Sequence, residues 1–120
     1  MNVVVADLRQ DHIDEAKAWF DDRQKGRQLH FIRLNVTDRD AMAAAADESE
    51  RVFGKVHVLV NNAGVGIEGP LKEATYDDWD FGLGVNLGGV VNGVQTFVPR
   101  IKAHARAATW SPPPPWPASW

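Results

Sequence analysis

Asp7 closes the run NVVVAD at residues 2–7, a short β-branched apolar stretch that ends in an acid. A carboxylate at the C-terminal end of a buried strand can accept hydrogen bonds from a pair of hydroxyls such as a ribose diol. An ordinary strand-end or helix-capping aspartate would look the same. Three further polar groups stand where a site could draw on them. Asn35 sits in the string Leu34-Asn35-Val36-Thr37-Asp38. Asn61, Asn62, Ala63 and Gly64 follow a VLV run as a polar turn, and Asn86 interrupts a long apolar helical segment. A buried helical asparagine needs partners, which a water or a local carbonyl can supply. The turn at 61–64 is also what an Asn-Gly-type loop closing a strand looks like. His12, His30, His57 and His104 are scattered without triad or metal-ligand spacing, which predicts surface or packing roles.

The elements that would position these groups are legible from periodicity. Residues 2–7, 29–36 and 56–60 read as three strands buried on both faces, as in a parallel sheet. Between the first two, Ile13, Ala16, Trp19 and Phe20 recur at helical spacing over about 11–25, with Gly26 as a stop. Thr37 and Asp38 can cap a helix over 41–53 that Gly54 ends. Thr75 with Asp78 three residues on predicts a capping box, opening a long helix to about residue 103. Gly82, Gly84, Gly88, Gly89 and Gly93 lie in that helix, each costing about 1 kcal/mol of propensity relative to Ala, so they predict close packing against a neighbour. Strands alternating with helices over short connections give an α/β fold with right-handed βαβ crossovers.

Bulk properties narrow the functions. The 120 residues are 44 % hydrophobic and 24 % charged, the range of one small globular domain. A net charge of −3 without a basic face speaks against nucleic acid or an anionic membrane as partner. No cysteine is present, so neither a disulfide framework nor a thiolate metal site is available, and a reducing cytoplasm fits. No apolar run approaches the roughly 20 residues that span a bilayer.

Strand-Asp7, then Leu34 to Asp38, then Asn61-Asn62-Ala63-Gly64, then Asn86 occur together and in this order, and on these residues the chain resembles the short-chain dehydrogenases/reductases over about 2–104. The resemblance implies a Rossmann-like fold and hydride transfer between a nicotinamide cofactor and an alcohol or carbonyl. It implies that Asp7, with Leu8 beside it, holds the adenosine ribose, and that Asn35 and Val36 line the adenine pocket. Many members carry Asp where Asn35 stands. Asn61, Asn62, Ala63 and Gly64 match the turn whose backbone passes the cofactor ribose. Asn86 matches the family asparagine that supports a water-linked proton relay. Asp7 favours NAD, since a carboxylate repels a 2′-phosphate, while Arg9 leaves NADP open. The long helix resembles the family's subunit-interface helix, which implies a homo-oligomer.

Other family features are not found in these residues. No glycine-rich phosphate loop precedes Asn2, and without one a dinucleotide loses its main anchor. The single tyrosine, Tyr76, has Asp80 four residues on, so no YxxxK pair is present. These residues are therefore expected to form a truncated domain over 1–104, with a first βα unit and a C-terminal half missing and Met1 as an internal methionine. The central strand of a 3-2-1-4-5-6 sheet would then be absent between residues 2–7 and 56–60, which predicts marginal stability or rescue by a partner chain. Residues 105–120 form a Pro/Trp-rich irregular tail, with four prolines at 112–115. Shifting its codons by one base permits an apolar strand with a serine, so a frameshift near His104 is one reading. A proline-rich ligand for an aromatic groove is the other. Two functions follow: an NAD(P)-dependent oxidoreductase by family, inactive as this chain stands, or a non-catalytic remnant or binding module acting through the long helix or the tail.

Overall fold

The structure, a computed structural model, describes residues 1–23 and 28–105. The proline-rich tail therefore lies outside the described residues, as does Gly26, the expected stop of the first helix.

Strand β1 (Asn2–Asp7) and strand β2 (Gln28–Arg33) pair in parallel, with Val3 opposite Leu29 and Asp7 opposite Arg33. Helix α1 (Gln10–Asp21) makes the crossover between them, and its one buried residue, Ile13, belongs to its apolar stripe. Helix α2 (Arg39–Phe53) begins at Asp38, whose carboxylate accepts from the Ala41 N–H at 2.9 Å. It ends at Gly54, where φ is +83°, a left-handed turn that glycine enters without steric cost. α2 thus ends where the sequence puts it and begins two residues before the expected 41, directly after its Asp38 cap.

The third expected strand does not form. Among the described residues the sheet has two strands, and 56–60 makes no ladder. A strand needs a neighbour about 4.8 Å away in the hydrogen-bonding direction, and here β1 is paired on one edge only. Val56 and Leu59 still pack against the core, but Val58 and Val60 stand 75 % and 76 % exposed. Their apolarity matches a buried strand without the partner that would bury it. β2 is also shorter than expected, because after Arg33 the chain leaves the ladder to form the turn that caps α2.

The long helix forms, but in three parts: α3 (Tyr76–Leu83), a widened π-type turn (Gly84–Gly88) and α4 (Gly89–His104). The predicted capping box is present at its start, with Asp78 Oδ2 accepting from the Thr75 N–H at 2.7 Å and the Asp78 N–H donating to Thr75 Oγ1 at 3.3 Å. The Thr75 N–H foremost, and then the Thr75 hydroxyl that donates to the same oxygen at 2.8 Å, hold the Asp78 carboxyl below its ordinary pKa.

The core lies between the sheet, α2 and α4: Ile32, Leu34, Met42, Ala45, Ala46 and Phe97. Ala45 and Ala46 present little bulk on the buried face of α2, which packs with α4. A polar clasp closes the same interface. Arg100 reaches Asp47 at 2.8 Å and Glu50 at 2.9 Å, while His104 meets the other oxygen of Glu50 at 3.0 Å. The His104 hydrogen bond, then the Arg100 charge, holds the Glu50 carboxyl below its ordinary pKa. No helix among the described residues is long and apolar enough to cross a membrane.

Candidate functional site

The C-terminal ends of parallel strands are where an open α/β sheet gathers ligand-binding groups. Asp7 ends β1, and its carbonyl accepts from the Leu34 N–H at 2.9 Å, which sets the loop after β2 beside it. One carboxylate oxygen of Asp7 accepts from the Arg9 N–H at 2.8 Å and lies 3.3 Å from His12 Nδ1. The other, Oδ2, makes no hydrogen bond among the described residues. Leu8 is exposed next to it, and its carbonyl accepts from Arg33 Nε at 3.0 Å. Arg9 turns away, pairing with Asp11 through Nε at 3.1 Å and through a second, shorter contact. The Arg9 hydrogen bond holds the Asp11 carboxyl below its ordinary pKa.

Asn35 is locked by its own turn. Its Oδ1 accepts from the Thr37 N–H at 3.0 Å and from Thr37 Oγ1 at 2.8 Å. The Thr37 N–H can only donate, which fixes the carbonyl end of the amide and leaves Nδ2 without a hydrogen bond among the described residues. Val36 is held from the helix side, where Asn92, a buried residue of α4, donates Nδ2 to the Val36 carbonyl at 2.9 Å. Gly89 lets α4 come this close: a Cβ there would lie 2.7 Å from Val36 Cγ2.

The same helix organises the turn at 61–66. Asn86 Oδ1 accepts from the Val65 N–H at 2.8 Å, and its Nδ2 donates to the Val65 carbonyl at 2.8 Å. This two-bond clamp reaches the turn past Gly64, where a Cβ would stand 3.4 Å from Asn86 Oδ1. About two helical turns on, Gly93 faces the Asn61 side chain so closely that a Cβ would overlap its Oδ1. Asn86 lies in the π-type turn, a widening common at functional positions. Both ends of the Asn86 side-chain amide are thus bonded to the Val65 backbone. Gly82 likewise faces Ile67. The glycines at 82, 89 and 93 each face a side chain of this chain. From Leu83 onward the large apolar residues that the long helix leaves exposed are Leu83, Leu87, Val91, Val94 and Val98.

The structure therefore brings Asp7, Leu8, Asn35 and Val36 together at one sheet end, and ties Val36 and the turn carrying Asn61, Asn62, Ala63 and Gly64 to a common helix. Sequence reasoning missed four residues that hold them: Thr37, Val65, Asn92 and Arg33. The Asn-x-Thr spacing was a usable signal for Thr37; Asn92 and Val65 carried none. It also missed His30 against Glu48 at 2.5 Å and His104 against Glu50, both part-buried pairs that fasten α2 to its neighbours.

A parallel crossover with polar groups gathered at its strand ends is the arrangement of a dinucleotide-binding fold, and comparison with known proteins names the family. The family model for short chain dehydrogenases matches residues 1–108, and the chain belongs to that family. A C alpha-dehydrogenase of Sphingobium sp. (strain SYK-6) is 48 % identical over 105 residues, covering 87 % of this chain and 34 % of that protein. The crystal structure of the apo form of LigO from the same strain superposes with a TM-score of 0.81 at 52 % identity, covering 88 % of this chain and 38 % of that one. A short-chain dehydrogenase/reductase from Burkholderia phymatum, solved in complex with NAD, matches at 36 % identity and a TM-score of 0.79, over 87 % of this chain and 36 % of that one. The chain thus spans little more than a third of each of these three proteins.

Proposed function

We propose that this chain supplies the adenosine-side half of a nicotinamide-cofactor site in an oxidoreductase that moves hydride between NAD(H) and a small alcohol or carbonyl. The gathering of Asp7, Leu8, Asn35 and Val36 at the C-terminal sheet end carries the reading. The residues fit the group. Asp7 keeps one half-exposed oxygen to accept from a ribose hydroxyl, Leu8 and Val36 offer apolar flanks, and Asn35 offers a donor to the base. Asn61, Asn62, Ala63 and Gly64, held by Asn86 through Val65, would pass the nicotinamide-side ribose along their backbone. The bound cofactor would supply the hydride chemistry. Asn86 acts here as a positioning residue for the turn, and by the family resemblance it would also support a water-linked proton relay.

Asp7 and the engaged Arg9 favour NAD over NADP. With no YxxxK pair among the 120 residues, turnover by this chain alone is not expected. The Leu83, Leu87, Val91, Val94 and Val98 stripe is where a second copy would dock, and the cysteine-free composition suits the cytoplasm. Isothermal titration of the purified chain with NAD+ and NADP+, beside an alcohol-oxidation assay followed at 340 nm, tests the reading. Saturable NAD+ binding without turnover is the expected result. A folded chain that binds neither dinucleotide would favour the non-catalytic remnant instead.

A further inference from the structure

The amide of Asn35 is committed on one side only. Its Oδ1 already accepts two hydrogen bonds, from the Thr37 N–H and from Thr37 Oγ1, which uses both lone pairs of a carbonyl oxygen. Its Nδ2 carries two N–H donors and no partner among the described residues. Asn35 is exposed at the sheet end, beside Val36. Resting on the cofactor reading above, we infer that Asn35 reads the purine by donation alone, so that this site tolerates a 6-oxopurine as well as adenine.

The chemistry of the two bases makes this specific. Adenine presents a 6-amino donor and an N1 acceptor, while hypoxanthine presents a 6-oxo acceptor and an N1–H donor. A lone donor finds one acceptor on either base, at N1 in the first and at O6 in the second. A carboxylate at position 35 would behave differently. With one oxygen held by Thr37, its second would accept from the adenine amino group and repel the 6-oxo group. Selectivity for adenine is thus set by whether position 35 has an acceptor to spare, and Thr37 uses up the acceptor that Asn35 has. Thr37 is the positioning residue of this device.

The test is calorimetric binding of NAD+ and of nicotinamide hypoxanthine dinucleotide to the full chain, to Asn35→Asp and to Thr37→Val. Far-ultraviolet circular dichroism checks that each variant keeps the helical signal. The wild-type chain is expected to bind the two dinucleotides within about threefold of each other. Asn35→Asp should shift the ratio toward adenine by about tenfold, the scale of one hydrogen bond to a charged acceptor. Thr37→Val, which touches no ligand but frees a lone pair on Asn35 Oδ1, should shift it the same way by a smaller factor. A wild-type preference for adenine above tenfold, or a ratio unmoved by both substitutions while NAD+ still binds, overturns the inference and leaves the cofactor reading standing. Failure of every variant to bind either dinucleotide overturns both.

Discussion

Replacing Gly89 with Ala puts the contact between α4 and the loop after β2 under direct strain. A Cβ at Gly89 would lie 2.7 Å from Val36 Cγ2 and 3.2 Å from Val36 Cβ, inside the distance real side chains keep. Val36 is β-branched and its carbonyl is tethered to Asn92, so it has little freedom to turn away. Two effects oppose. Alanine in a helix gains about 1 kcal/mol over glycine. Forcing a methyl into a packed contact costs about 1–3 kcal/mol. The expected net for Gly89→Ala is a destabilisation of about 0–2 kcal/mol. The neighbouring Gly88→Ala supplies the control, since its Cβ would meet only the Leu83 carbonyl at 3.7 Å, an ordinary contact. That variant should be neutral or stabilised by up to about 1 kcal/mol. Urea unfolding followed by circular dichroism reads the difference, and Val36→Ala in the Gly89→Ala background should recover part of the loss. Equal stability changes for the two glycines, or no recovery with Val36→Ala, would refute the close-approach account of this helix.

Asp11→Asn releases Arg9 from its ion pair and should raise the NADP+ to NAD+ binding ratio by up to about fivefold, the scale of an exposed pair, as read by isothermal titration with both dinucleotides. Thr75→Ala should cost about 1 kcal/mol by removing the cap of α3, seen as a lower urea midpoint. Glu50 has a folded-state pKa below its unfolded value, so its clasp on α4 contributes stability above pH about 4.5, and that contribution is lost as pH falls through the folded pKa. Glu50→Gln should therefore lower stability at neutral pH and flatten the acid limb of the stability–pH profile measured by urea unfolding. Asn86→Leu should speed amide hydrogen exchange at Val65 specifically, because the amide loses its acceptor.

Much of this architecture was legible beforehand because its signals are local. Asp38 caps α2, Gly54 ends it with positive φ, and Thr75 with Asp78 closes the capping box; each depends on residues within four positions. The βαβ alternation was legible from apolar periodicity for the same reason. Strand pairing at 56–60 was not, since VHVLV has the composition of a buried strand whether or not a neighbour is present. The interruption at Gly84–Gly88 was not legible either, because a widened turn depends on what the helix must reach, here Val65. At the site, Asp7 and Asn35 could be picked out by type and position. Their availability could not: the saturation of Asn35 Oδ1 by Thr37 and the diversion of Arg9 to Asp11 are facts of geometry.

The central claim, that this chain carries the adenosine-side half of a nicotinamide-cofactor site, is tested most directly by nuclear magnetic resonance titration of the 15N-labelled chain with ADP-ribose. The account predicts saturable shifts at the amides of Asp7, Leu8, Asn35, Val36, Ala63 and Gly64 and at the Asn35 side-chain amide, abolished by Asp7→Ala. Shifts confined to other surfaces, or no saturable shift in a chain whose spectrum is dispersed and folded, would contradict it.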